Sequence, residues 1–154
     1  QSRNESPFIV VCDSLEDPHN LGAILRSAEA AGVHGVIIPK RNSVTLNYTV
    51  AKTSAGAIEY VPVVKVANLP AVIDELKARG VWIFGADMDG TDYTSLDYSG
   101  SIALVIGSEG KGIGRLVREK CDFIASMPMR GKINSLNASV AAGILMFEAA
   151  KHRN

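Results

Sequence analysis

Six nearly continuous apolar runs punctuate the chain: FIVVC (8–12), VHGVIIP (33–39), YVPVVKV (60–66), VWIFGA (81–86), IALVIG (102–107) and FIASM (123–127). Runs of this length, rich in β-branched residues and followed by turn residues, read as strands buried on both faces, as in parallel sheets. Helical spacing of apolar positions predicts helices at about Asn20–Ala31, Tyr48–Ala55, Leu69–Arg79, Gly114–Lys120 and Asn137–His152. Alternation of the two patterns predicts an α/β fold, a largely parallel six-stranded sheet with helices on both faces. No internal repeat or second domain boundary interrupts it. QSRNESP, residues 1–7, reads as a polar linker remnant, and the domain proper is expected over residues 8–154.

Open α/β sheets bind ligands at the carboxyl ends of their strands. Three segments so placed are rich in glycine and polar groups: DSLEDPHNLG after the first strand, GSEGKGIG after the fifth, and PMRGKINSLN after the sixth. The last leads into the apolar run of the final helix and offers far more hydrogen-bonding capacity than a helix cap needs.

Composition adds limits. At 154 residues, 47% hydrophobic and 21% charged, the chain has the makeup of one soluble globular domain. No stretch is long and apolar enough to span a bilayer, and no signal peptide is visible. The formal net charge is zero, so global charge does not announce a nucleic-acid partner. Local charge says more: Lys111, Arg115, Arg118 and Lys120 lie in or after the fifth-strand loop, and Arg130 and Lys132 precede the last helix. Either these are solvated faces or they form a phosphate-binding surface. Cys12 and Cys121 read as small buried residues in a reducing cytoplasm. His19, His34 and His152 lack metal-ligand spacing and are expected to be structural or exposed. DMDGTD (87–92) reads as an acidic surface turn rather than a calcium loop.

The common nucleotide fingerprints are missing. GSEGKGIG has Ile113 where a P-loop lysine would stand, and Arg115 occupies the last glycine position of a GxGxxG pattern. Taken together, however, NLGAILR (20–26), IGSEGKG (106–112) and MPMRGKINSLNASVAAG (127–143) resemble, in order and separation, the motifs of the SpoU (TrmH-type) family of the SPOUT superfamily. These are RNA ribose 2'-O-methyltransferases. The resemblance covers nearly the whole chain and is nearest to the catalytic domains of bacterial enzymes acting on a guanosine of 23S ribosomal RNA. It implies a C-terminal trefoil knot, S-adenosyl-L-methionine as methyl donor, cytoplasmic location, and a homodimer whose active site lies at the interface. Members of the family usually carry a further N-terminal RNA-binding domain, which residues 1–154 are not expected to include. A transfer RNA substrate, or a non-catalytic RNA-binding module of the same fold, are the alternatives.

The resemblance assigns Asn20, Arg26, Glu109, Ser135 and Asn137 to catalysis, and Ala86, Ile106, Gly107, Met127 and Leu136 to the cofactor. Arg26 would orient the nucleotide and stabilise the developing alkoxide. A guanidinium is protonated at ordinary pH and is a poor base, so an RNA phosphate is one acceptor open to the proton. Each residue also has a plainer role open to it. Asn20 could cap the first helix, Arg26 could pair with Glu29, Glu109 could answer a helix dipole, and Ser135 or Asn137 could cap the last helix, with Ser139 a further cap or packing contact.

Overall fold

The computed structural model describes residues 5–15, 17–40, 48–108, 112–132 and 137–153. Six strands form one sheet: β1 (Phe8–Cys12), β2 (Gly35–Pro39), β3 (Val63–Val66), β4 (Trp82–Asp92), β5 (Ile102–Ile106) and β6 (Phe123–Ser126). Their spatial order is β3-β2-β1-β5-β4-β6, and every pairing is parallel. The chain therefore winds outward from β1 to β3, crosses to β4, and inserts β5 between β1 and β4. All five residues of β5 are buried, the burial that a central parallel strand imposes.

Helices cover both faces. On one, α1 (Pro18–Ala31), α2 (Tyr48–Thr53) and α5 (Ala138–Ala150) pack with Leu21, Ile24, Leu25, Val50, Ala142, Leu145 and Met146 in the larger core. On the other, α3 (Leu69–Ala78) and α4 (Arg115–Lys120) contribute Leu69, Ile73 and Val117 to a smaller one. The sequence expectation of a parallel α/β sheet with two covered faces thus holds.

Two local readings are corrected. Helix α1 starts at Pro18, and Asp17, not Asn20, is its N-cap; the Asp17 side chain accepts from the His19 amide at 2.9 Å. Proline is suited to the first helical position because it has no amide to leave unsatisfied. DMDGTD is not simply a turn between elements. β4 runs on through Asp92, with Ala86 and Thr91 both opposite Ala125 and the residues between them bulged out. Gly90 has to be glycine there, since a Cβ would lie 2.4 Å from the Ile124 carbonyl oxygen.

The end of the chain is tied back to its start. Arg153 donates to the Ser6 and Gly100 carbonyls, and its guanidinium lies 4.8 Å over the Phe8 ring. His34 accepts the Phe8 amide at 3.0 Å and meets Glu5 at 2.6 Å, while His152 packs edge-on against Tyr98. Both histidines are structural, as the sequence reading expected.

α1 meets α2 at Gly22, where a Cβ would fall 1.7 Å from Thr53 Oγ1. That hydroxyl is itself engaged, donating to the Thr49 carbonyl at 2.7 Å. Gly22→Ala should therefore lower unfolding free energy by about 1–3 kcal/mol, the usual cost of overpacking. Urea titration checks it, and adding Thr53→Ala should recover part of the loss in a double-mutant cycle.

Candidate active site

The carboxyl ends of β1, β5, β4 and β6 lie side by side, and the loops that leave them are fastened to one another. The Asp13 amide donates to the Ile106 carbonyl at 2.7 Å, continuing the β1–β5 ladder one step past its last residue. The Asp13 carboxylate then accepts the Gly114 amide at 2.7 Å. Gly114 is the N-cap of α4 and makes no side-chain cap bond of its own, so Asp13 satisfies a helix-start amide from another strand.

The loop after β5 closes on itself. The Gly112 amide donates to the Ser108 carbonyl at 2.8 Å. Gly107 is buried against the returning chain, where a Cβ would sit 2.1 Å from the Gly112 carbonyl carbon. Gly112 holds a φ of 68°, in the left-handed region open to glycine, and its missing Cβ leaves room for Asp87. Asp87 pairs with Arg118 of α4 at 2.5 Å, and Arg118 also reaches the Met88 carbonyl. The two carboxylates Asp13 and Asp87 thus fix the β5 loop and α4 to the ends of β1 and β4. Nothing local in the sequence pointed to either residue, because their partners are 101 and 31 positions away.

Of the predicted cofactor residues, Ile106 is buried in the larger core, and half-buried Ala86 and Met127 pack against the same cluster. All three side with the larger core, Ile106 at the end of β5, Ala86 within β4 and Met127 just after β6. Gly107 follows Ile106 directly. Leu136 lies outside the described residues, as do Glu109 and Ser135.

Of the predicted catalytic residues, Arg26 is exposed on α1 and Asn20 is half-buried in its first turn. Among the described residues no ion pair joins Arg26 to Glu29. Asn137 is the N-cap of α5: its Oδ1 accepts from the Ser139 amide at 2.9 Å and from the Ser139 hydroxyl at 2.5 Å. The capping role falls to Asn137, with Ser139 as its partner. α1 and α5 pack face to face, with Gly143 3.5 Å from Ser27 Oγ for any added Cβ. This contact brings the helix bearing Arg26 and the helix led by Asn137 onto the same side of the sheet as Ala86, Ile106 and Met127.

Neither cysteine offers a nucleophile. Burial and the neighbouring Asp13 push the Cys12 thiol up to about 12, and burial with Asp122 pushes Cys121 up to about 11. Both stay protonated and unreactive near neutrality. Among the described residues no group of His, Cys, Asp and Glu could hold a metal ion.

A family profile described as SpoU rRNA Methylase matches residues 7–147, across all of these elements. The chain belongs to the SpoU rRNA methylase family. This SpoU domain is similar to a Bacillus subtilis (strain 168) protein named within the TrmH family of tRNA/rRNA methyltransferases, 56% identical over 100% of this chain and 62% of the relative. The chain thus spans about three fifths of that relative's length. The SpoU methyltransferase AviRb from Streptomyces viridochromogenes, solved with AdoMet, superposes with a TM-score of 0.88 at 32% identity, over 96% of this chain and 61% of that one. The TrmH/SpoU tRNA modifying enzyme of A. aeolicus gives 0.85 at 27% identity, over 97% and 76%.

Two outcomes test the loop fastening. Asp13→Ala should speed amide hydrogen exchange at Gly114 by about tenfold or more, since a charge-assisted hydrogen bond is lost, whereas Asp13→Asn, which keeps an acceptor, should change it much less. In the native protein at pH 8, a chromogenic disulfide reagent should leave Cys12 unlabelled until denaturant is added.

Proposed function

We propose that this domain transfers a methyl group from S-adenosyl-L-methionine to a ribose 2'-hydroxyl of RNA, with a guanosine of 23S ribosomal RNA as the target. The observation that supports the reading is the packing of α1 and α5, which carry the first and third motifs, on the face of the sheet that also buries Ile106 of the second. The cofactor bound to AviRb supports the donor. The names of the relatives cover both ribosomal and transfer RNA, so a transfer RNA ribose is the second reading.

The donor would sit among residues of suitable chemistry. Ala86, Ile106 and Met127 would hold its adenine, Gly107 would let it approach the backbone, and Leu136 would complete the pocket. When bound, the group supplies an electrophilic methyl on a sulfonium. The chain's own work is to place and charge-stabilise the nucleophile. Arg26, exposed on α1, would grip the nucleotide and stabilise the alkoxide. Asn20, in the half-buried first turn, would set the position of Arg26, with Glu109 and Ser135 as further polar contacts and Asn137 at the head of α5.

A second copy of the chain is part of the proposal. α5 is apolar nearly all round, yet Val140 and Phe147 are 50% and 48% exposed, with half-buried Ile144 on the same stripe. A helix apolar on every side is expected to be covered on every side. The stripe begins three residues after Asn137, so a partner docked on it would border the site. The trefoil crossing is also proposed: β5 enters between β1 and β4, and the chain later returns past β6 to α1, an order compatible with a threaded C-terminal segment. Among the described residues no helix is long and apolar enough to cross a membrane, and a cytoplasmic location accords with the RNA target.

Calorimetry with S-adenosyl-L-methionine should give saturable binding, and silence at millimolar ligand would sink the reading. Methylation assays on unmodified ribosomal and transfer RNA then separate the two substrates. Arg26→Ala should cut transfer at least ~100-fold, the scale of one lost transition-state contact, while donor affinity stays within about twofold. Light scattering should report a dimer at micromolar concentration, and Phe147→Asp should shift it to monomer.

A further inference from the structure

The charge on this chain sums to zero, but it is not evenly paired. Lys77, Arg79, Arg115, Arg118, Lys120 and Lys151 each meet a carboxylate. Among the described residues Arg26, Lys40, Lys52 and Lys65 meet none, and neither do Arg130 and Lys132 of the third motif. We propose that Tyr48, Lys52, Lys40 and Lys65 form a track for single-stranded RNA, in which Tyr48 stacks on a base flanking the target. The inference rests on the ribose-methyltransferase reading and adds the surface that holds RNA beyond the reacting nucleotide.

α2 is packed on the helix that bears Arg26. Its Thr53 side chain lies where a Cβ on Gly22 would fall, in the second turn of α1. That contact sets α2 near the carboxyl ends of the strands. Arg26 follows Gly22 by four positions, so it stands one turn further along nearly the same flank of α1, and it is exposed there. Val50 and Ser54 turn inward, with Val50 in the larger core, which leaves Tyr48, Ala51 and Lys52 as the face of α2 in water. Tyr48 is 77% exposed, and Lys52 lies one helical turn away, about 6 Å. Ala51 is too small to stand between ring and ammonium. Lys40 leaves the carboxyl end of β2, where its amide donates to the Val66 carbonyl at 2.8 Å. Lys65 pairs in parallel register with Ile38, which is buried in the larger core, so Lys65 rises on the same face of the sheet as α2.

Single-stranded RNA is held by aromatic rings on which its unstacked bases lie flat and by cations that follow its phosphates. A ring in water beside unpaired ammonium groups supplies both, whereas a duplex hides its base faces and offers Tyr48 nothing to stack on. From Val33 to Val66 the sequence holds Lys40, Arg41, Lys52 and Lys65 against one acid, Glu59, so a polyanion meets little repulsion there. Tyr60 supplies a contrast within the same segment. It is as exposed as Tyr48, at 78%, but it follows Glu59 and precedes β3. The Pro62 carbonyl just beyond it accepts the Val36 amide, which puts Tyr60 at the amino ends of the strands. It is away from the motif loops and has no part in the track.

The test uses the whole protein and whichever unmodified transcript, ribosomal or transfer RNA, the native protein methylates. By fluorescence anisotropy Tyr48→Ala should weaken RNA binding about fivefold to a hundredfold, the range for one lost base–aromatic stack. Tyr48→Phe, which keeps the ring, should bind within about twofold of the native protein, and Tyr60→Ala should match it. In Tyr48→Ala the donor affinity by calorimetry and the single-turnover rate at saturating RNA should stay within about twofold. Lys52→Ala should flatten the fall of log affinity with log salt by about 0.7, the share of one phosphate on a single strand. Native affinity in Tyr48→Ala overturns the inference. So does equal weakening by Tyr48→Ala and Tyr60→Ala, or a loss that Tyr48→Phe shares in full. Failure of the native protein to methylate either RNA would instead strike the underlying reading.

Discussion

The adjacency of β1 and β5 is the constraint on which the rest of the molecule depends. The two strands are remote in sequence, yet five residue pairs align from Phe8–Ile102 to Cys12–Ile106, and almost every side chain along them is buried. Because β5 is inserted beside β1 only after β2, β3 and β4 have been laid down, closing this pairing carries the entropy of a long loop. What offsets that cost is the dry interior on both faces. Once formed, the pair delivers two loop starts, Asp13 and Gly107, to the same spot.

From there the site is assembled by polar links between loops rather than by contacts within any one loop. Asp13 reaches Gly114, and Asp87 reaches Arg118 across Gly112. Short helix α4 acts as a spacer gripped at its start by one strand and near its end by another. The glycines matter because backbone passes over backbone at Gly107 and over a carboxylate at Gly112. Rigid loops on rigid strands suit chemistry in which placement supplies most of the acceleration.

The legible and illegible parts of the sequence divide along the same line. FIVVC and IALVI announced their strands because burial on both faces leaves a continuous apolar run, and β1 begins and ends where the run does. The motif segments were visible because each gathers glycine and polar residues at a strand end, where open α/β sheets place their ligands. The start of α1 was misjudged by two residues, although Asp17-Pro18 is a recognisable cap-and-first-turn pair. The extension of β4 past Ala86 was hidden, since polar DMDGTD looks like a turn and only its pairing with β6 makes it strand. Asp13 and Asp87 could not be read at all: a carboxylate's partner across the fold leaves no local pattern.

The proposed pairing through α5 would have a consequence for how the molecule behaves on dilution. Left in water, Val140 and Phe147 add little to folding, and a partner covering them would add to it by mass action. Folding strength would then rise with the amount of protein present. Because the stripe starts beside the head of α5, the same association that firms the fold would also shape the mouth of the site. Abundance itself would become a control on competence, with no effector and no moving part.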